Sequence, residues 1–251
     1  MVNMEQFWSR GPEQYISGIW AIPGFHLDMV RPDWMHMCCL GVLQYLLGNC
    51  FWEMFIELGG VFTNPRTTMA KLENMIEAVA HQVDIRKPVH NVSVTMIRPA
   101  MGKKPRFKGK AAQNRHCLPI ARELLLNCFS MESDHAANRF HCVQALHECY
   151  QEMEAWDPRS SPARLGVLAR RHLLLWATLK AETTDPLMWC LYPKHHLWLH
   201  TAEQSPTNPR LEWNYSDESE IGTAVGAAKG CNVRYVAAAL IQHYRAAFAF
   251  P

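Results

Sequence analysis

The stretch from Trp34 to Leu58 reads WMHMCCLGVLQYLLGNCFWEMFIEL, and it decides the fold class. Its apolar residues recur at helical spacing, and two glycines follow it as a stop signal. The pattern predicts a buried helix, or a pair of helices if the chain breaks at Gly48-Asn49.

The rest of the chain adds helices and little else. A length of 251 residues, with 49% hydrophobic and 19% charged residues, suits a single domain spanning residues 1–251. Capping residues and apolar stripes predict further helices over 63–83, 112–129, 133–156, 162–181 and 217–248, and short strands over 15–22 and 92–97. The predicted fold class is mainly α with a small β contribution. The three helices between residues 112 and 181 should pack on one another and bury Trp176.

Cysteine usage and hydropathy indicate the compartment. The nine cysteines are an odd number, and most lie in apolar helical patterns, so we expect a reducing nuclear or cytoplasmic location. The longest mostly apolar run, 35–47, is too short to span a bilayer. We therefore expect no membrane association.

The net charge of +2 hides a strong asymmetry. Every fixed charge between Asp84 and Glu123 is basic, and this segment of +10 leaves −8 for the rest of the chain. Cations around a possible stacking ring, Phe107, are typical of nucleic-acid phosphate contacts. The alternatives are a solvated surface or a localisation signal. We predict that this basic loop binds DNA through seven residues: Arg98, Lys103, Lys104, Arg106, Lys108, Lys110 and Arg115.

Two short motifs offer candidate metal ligands. Asp33 stands three residues before His36 at a helix entry, where a carboxylate either caps the helix or holds Mg²⁺ or Mn²⁺. His196 and His200 are four residues apart, so on a helix their imidazoles share one face, as in zinc-ligating pairs. Histidines without any ligand are an equally consistent interpretation.

Three short blocks occur in an order that resembles eukaryotic cut-and-paste transposases of the CACTA and Plavaka/KDZ type. Asp33-Trp-Met-His36 followed by Leu40-Gly41-Val42 is similar to their D-x-M-H and L-G-V block. Pro193-Lys194-x-His196-Leu-x-Leu-His200 is similar to P-K-x-H-L-x-x-H, and Glu218-x-x-x-Gly222 is similar to E-x-x-x-G. The resemblance spans residues 25–234, with no block match between 62 and 158.

The resemblance implies an RNase H-like nuclease core interrupted by a large helical insertion. Residues 1–62 would be a remnant of the core, 63–190 the insertion with the basic loop, and 191–251 the C-terminal acidic region. The implied catalytic residues are Asp33, His36, and Glu218 or Glu220. The implied cofactor is Mg²⁺ or Mn²⁺, and the implied metal ligands are Asp33 and Glu218. His196 and His200 are candidate metal ligands because of their spacing, and zinc is the lesser alternative.

The first catalytic aspartate of such a core lies upstream of Asp33, but only 32 residues precede Asp33. We therefore expect a transposase-derived DNA-binding protein that lacks independent nuclease activity. Its partners would be DNA and either a complementing transposase half or a second copy of the chain. The alternative is an all-α protein-interaction or scaffold domain, in which the motifs are capping and packing residues. If the resemblance holds, Asp33 and Glu218 approach each other in the folded chain.

Overall fold

The computed structural model describes residues 33–59, 64–86 and 89–213. Within these ranges the chain is mostly helical and contains no β-strand, so the mainly α class is confirmed. The RNase H-like core stays a prediction. The elements in chain order are a π-helix (Met35–Val42), α1 (Leu43–Glu57), α2 (Pro65–Gln82), α3 (Val94–Ile97), α4 (Ala111–Cys128), α5 (Asp134–Glu154), α6 (Ser161–Glu182), α7 (Pro193–Gln204) and a 3₁₀ turn (Pro209–Glu212).

Two helices begin at the capping residues that the sequence predicted. The Asn64 side chain accepts a hydrogen bond from the Arg66 amide at 2.9 Å, with proline at the first position of α2. The Ser133 hydroxyl accepts from the Ala136 amide at 3.2 Å and starts α5. Each cap satisfies an amide that the first helical turn leaves without a partner.

One hydrophobic core joins these helices. The π-helix and α1 are apolar almost all round and lie at its centre, where Leu43, Leu47 and Phe51 are fully buried. Helices α4 and α7 pack against this central pair, and α5 and α6 pack against each other. Trp176 on α6 is 0% exposed. The predicted packing of the helices between residues 112 and 181 is confirmed for the neighbouring pairs, because α4 packs on α5 and α5 packs on α6.

The π-helix and α1 form one continuous helical stretch, Met35–Glu57. By length and composition this stretch could cross a membrane, but 83% of its apolar window is buried inside the fold. Burial of this kind is typical of a central core helix. The stretch is longer than the apolar run read from the sequence because it continues through Gly48 and Asn49. The predicted break there is wrong.

The predicted strand over 92–97 is also wrong. Residues Val94–Ile97 form the single turn α3, closed by a hydrogen bond from the Arg98 amide to the Val94 carbonyl at 2.7 Å. Periodicity alone does not separate a strand from a buried helical turn in an apolar run this short. The predicted strand over 15–22 and the predicted helix over 217–248 lie outside the described residues.

Candidate nucleic-acid interface

Residues 104–110 form no helix, strand or turn, and we call this segment the basic ribbon. Its side chains alternate between two sides, as they do in any extended chain. The odd-numbered residues, 105, 107 and 109, are buried, whereas four cations are exposed: Lys104, Arg106, Lys108 and Lys110. One side of the ribbon therefore belongs to the core, and the other side carries only positive charge.

Backbone hydrogen bonds fix the ribbon against two helices. The Arg106 and Lys108 amides donate to the Ile97 and Met96 carbonyls at 2.8 and 2.9 Å. These carbonyls belong to the last residues of α3, which have no partner inside so short a helix. The Phe107 amide donates to the Gln44 carbonyl of α1 at 2.9 Å. The cations thus stand on a backbone whose position is set before any ligand arrives.

Phe107 and Gly48 explain how the ribbon meets α1. The Phe107 ring is 1% exposed and lies 5.3 Å from the Phe51 ring, so the prediction of an exposed stacking ring is wrong. A Cβ atom on Gly48 would stand 2.5 Å from the Arg106 nitrogen. Glycine is needed at position 48 because the ribbon backbone lies directly against the helix.

Arg98 is a structural residue and not part of the exposed surface. Its guanidinium is buried, forms an ion pair with Asp185 at 2.6 Å, and lies 5.0 Å from the centre of the Trp52 ring. It also donates to the Met101 and Lys103 carbonyls. Since its charge and donors are used inside the fold, its predicted role in phosphate binding is corrected to shaping the loop that precedes the ribbon.

The remaining predicted cations divide into two groups. Arg115 lies on α4, half-buried, with its guanidinium 5.2 Å from the centre of the Trp213 ring. Lys103 is exposed beside the ribbon. Of the seven predicted residues, five therefore present an exposed charge: Lys103, Lys104, Arg106, Lys108 and Lys110.

These five cations line an open groove with a volume of ≈ 950 Å³, and no acidic residue is among its lining residues. Its walls include Gln44 and Tyr45 of α1, which the sequence pattern did not single out. The Arg106 Nε donates to the Gln44 Oε1 at 2.8 Å. A groove lined by one sign of charge concentrates oppositely charged ligands.

A tyrosine pair stands beside this groove. The rings of Tyr45 and Tyr192 stack with centroids 4.1 Å apart. The Lys104 Nζ lies 4.7 Å from the Tyr192 centroid, and the Arg106 guanidinium lies 5.8 Å from the Tyr45 centroid. The two rings therefore stack on each other and orient cations, and they do not offer open faces to nucleic-acid bases.

The first two blocks of the transposase resemblance contact each other. The Lys194 Nζ donates to the His36 and Leu40 carbonyls of the π-helix at 3.1 and 3.2 Å. A Cβ atom on Gly41 would stand 2.6 Å from the Lys194 Cδ. Glycine at position 41 therefore leaves room for the Lys194 side chain to pass over the π-helix. Burial and the charge of Arg106 lower the pKa of Lys194. Lysine and glycine in these blocks thus have a joint structural role.

Asp33 caps the π-helix. Its Oδ1 accepts from the Met35 amide and its Oδ2 accepts from the His36 amide, both at 3.1 Å. The His36 Nδ1 lies 2.5 Å from the same Oδ2. Both carboxylate oxygens are therefore engaged within one turn, which is the capping interpretation that the sequence left open.

The metal site implied by the resemblance is not assembled by the described residues. Among them, no group of three or more histidine, cysteine, aspartate or glutamate side chains is placed to hold an ion. Glu218 and Glu220 lie outside the described residues, so their approach to Asp33 stays a prediction.

His196 and His200 share one face of α7, as their spacing predicted. Their Nε2 atoms are 3.1 Å apart, and the two rings are nearly perpendicular, at 81°. His196 is exposed and His200 is half-buried. The pair is thus reachable from solvent.

Comparison with known proteins gives no match: no family model, curated protein or solved structure is similar to this chain. Function is therefore inferred from the geometry of the groove and of the two motif blocks.

Proposed function

We propose that this chain is a transposase-derived DNA-binding protein that binds the phosphate backbone through the basic ribbon. The observation that carries the proposal is the alternation of residues 104–110, which places four cations on one side of a fixed extended backbone. A solvated loop would not need to be hydrogen-bonded to two helices. A localisation signal would not need Phe107 in the core.

The spacing of the cations suits a chain of phosphates. Alternate residues of an extended segment are about 6.6 Å apart, so the four charges extend over about 20 Å. Each cation can then contact a separate phosphate. Since the backbone is already ordered, binding DNA carries no added cost for ordering the backbone of this segment.

The contacts favour binding without sequence preference. Lysine and arginine contacts to phosphates position a protein on DNA but carry no base information. The nearby rings of Tyr45 and Tyr192 are already stacked on each other, so base stacking contributes little. Affinity should depend steeply on salt because the phosphates release counterions on binding.

The geometry of Asp33 supports binding without independent cleavage. Both oxygens of Asp33 accept backbone amides of the π-helix, and among the described residues no group of three or more candidate ligands is placed to hold an ion. In this proposal the D-x-M-H block has a structural role, which is to cap the start of the π-helix.

A salt titration of DNA binding tests the proposal. The full chain is titrated onto a labelled duplex between about 50 and 200 mM salt, where four phosphate contacts predict a log–log slope of about −3.6 and an affinity loss of about 150-fold. Replacing Lys104, Arg106, Lys108 and Lys110 by alanine should remove most of the affinity and most of the slope.

A matched control removes four exposed cations from other surfaces: Arg66, Lys71, Arg86 and Arg159. This variant has the same net charge as the ribbon variant and should keep the slope of the unmodified chain. Equal affinity and slope for the unmodified chain and the ribbon variant would overturn the proposal. An equal loss in both variants would assign the binding to net charge and not to the ribbon.

A further inference from the structure

Helix α7 carries a histidine pair that the proposed DNA interface does not use. The two Nε2 atoms of His196 and His200 stand 3.1 Å apart on its solvent side. Helical spacing explains why the rings are neighbours. It does not require the two Nε2 atoms to meet at this distance, since an exposed histidine has several rotamers.

The distance fits two cis positions around a transition-metal ion. Imidazole nitrogens bind Zn²⁺ at about 2.0–2.1 Å. Two such nitrogens 3.1 Å apart subtend an angle of about 100° at the ion. This angle lies between the ideal values for octahedral and tetrahedral coordination.

We propose that His196 and His200 form a two-histidine chelate for a borderline divalent ion such as Zn²⁺, Ni²⁺ or Cu²⁺. Imidazole ligands favour these ions over Mg²⁺ and Ca²⁺, which prefer oxygen. The site is therefore chemically distinct from the magnesium or manganese site that the transposase resemblance implies. It also does not depend on DNA binding by the ribbon.

The site is open. No third side chain among the described residues completes it, so water or an exogenous ligand would occupy the other positions. The His200 Nδ1 is buried without a hydrogen-bond partner, whereas metal-bound histidines usually donate that N–H to an acceptor. Missing outer support of this kind predicts weaker binding than in a four-ligand structural zinc site.

Calorimetric titration of the metal-free full chain with ZnCl₂ tests the proposal. The exposed His116 on α4 supplies the control, because H116A also removes one solvent-facing imidazole. We expect one saturable ion per chain in the unmodified protein and in H116A. Zinc affinity should fall by about tenfold or more in H196A and in H200A. Removing only the hydrogen-bond partner of a metal ligand already costs about tenfold, and these variants remove the ligand itself.

Two further measurements separate the outcomes. H196C should retain binding, because a cysteine thiolate is also a zinc ligand, and MgCl₂ should not compete. His196 is exposed, so H196A tests the site even if H200A disturbs packing. Zinc binding by H196A with the stoichiometry and affinity of H116A would overturn the proposal. In that case the pair is a hydrogen-bonded one in which a single proton joins the two rings.

Discussion

Two groups of cations in this molecule have the same chemistry and opposite surroundings. Arg139 on α5 is 1% exposed and donates to Glu53 and Glu57 at 3.0 and 2.5 Å. The four ribbon cations face solvent in a groove that no acidic residue lines. The position of the carboxylates, and not the number of cations, therefore decides whether a positive charge stabilises the fold or remains open to a ligand.

Two histidines, His135 and His172, differ in the same way in whether carboxylates lie beside them. His135 hydrogen-bonds to Glu53 and Glu182, and the bond to Glu53 raises its pKa although burial opposes the shift. His172 is completely buried and has no carboxylate partner among the described residues. Its Nδ1 donates a hydrogen bond to the Cys142 carbonyl at 2.8 Å. Burial lowers the pKa of His172 to about 3. Neighbouring carboxylates thus raise the pKa of one imidazole, and burial without them lowers the pKa of the other.

The largest expected effect is the loss of the buried ion pair. R139A leaves Glu53 buried beside fewer partners, and breaking such a pair by removing one member costs about 3–5 kcal/mol. Urea unfolding measures the change. The double variant R139A/E53Q should recover part of the loss, because the uncompensated charge is then gone. A cost no larger than that of an exposed substitution would contradict the contrast between the two groups.

Acid should destabilise the fold because His172 is buried without a carboxylate partner among the described residues. Its folded pKa lies below the unfolded value of 6.5, so its contribution to stability is complete above pH 6.5 and is lost as the pH falls toward about 3. At pH 5 the loss is about 2 kcal/mol. The groups that face His172 are Cys142 on α5, His195 and Trp198 on α7, and Trp176 on its own helix.

The measurement is unfolding stability between pH 7.5 and pH 5 for the unmodified chain and for H172Q. The glutamine variant lacks the titrating group, so its pH dependence should be shallower by the same amount. Parallel pH profiles would mean that His172 does not stay neutral in the folded chain.

G48A should disturb the ribbon without changing any charge. The new Cβ would meet the ribbon backbone at residues 105 and 106, and overpacking of this kind costs about 1–3 kcal/mol. DNA affinity should fall as well, because the cations lose their fixed backbone. G102A is the control, since nothing lies within 4 Å of its added Cβ. Normal DNA binding by a destabilised G48A would separate the ribbon geometry from the function.

The smallest expected effect is that of one ribbon cation on stability. K108A removes an exposed side chain, so the free energy of unfolding should change by no more than about 0.5 kcal/mol. The salt slope of DNA binding should become shallower by about 0.9, the value of one phosphate contact. A change in stability without a change in slope would place Lys108 with the structural cations.

Local signals predicted much of this fold. The caps at Asn64 and Ser133 and the apolar stripes gave the long helices within a few residues, because these signals act between near neighbours in the chain. The contacts of the interface are of another kind. The Arg98–Asp185 pair joins residues 87 positions apart, and Phe107 meets Phe51 across the core. Nothing in the local composition reveals either partner.

The basic ribbon carries a local signal of its conformation. Residues 104–110 alternate cation with non-cation along their whole length, which is the period of an extended chain. Composition alone predicts a polar surface loop, whereas the alternation predicts that Pro105, Phe107 and Gly109 face inward, as they do. The candidate metal ligands differ in how far the sequence predicts them. The spacing of His196 and His200 predicts their shared helix face, whereas the choice between capping and metal binding at Asp33 depends on the three-dimensional contacts of its carboxylate.

The π-helix at the start of the central stretch changes the angular phase of everything before it. Its hydrogen bonds join residues five apart, so each residue turns the chain through less than the 100° of an α-helix. A helical wheel continued backwards from α1 therefore assigns Asp33, Trp34 and His36 to the wrong directions. Deleting one residue between His36 and Gly41 would let this stretch return to the 100° per residue of an α-helix. The direction in which the D-x-M-H block faces is thus set by the pitch of the stretch together with the number of its residues.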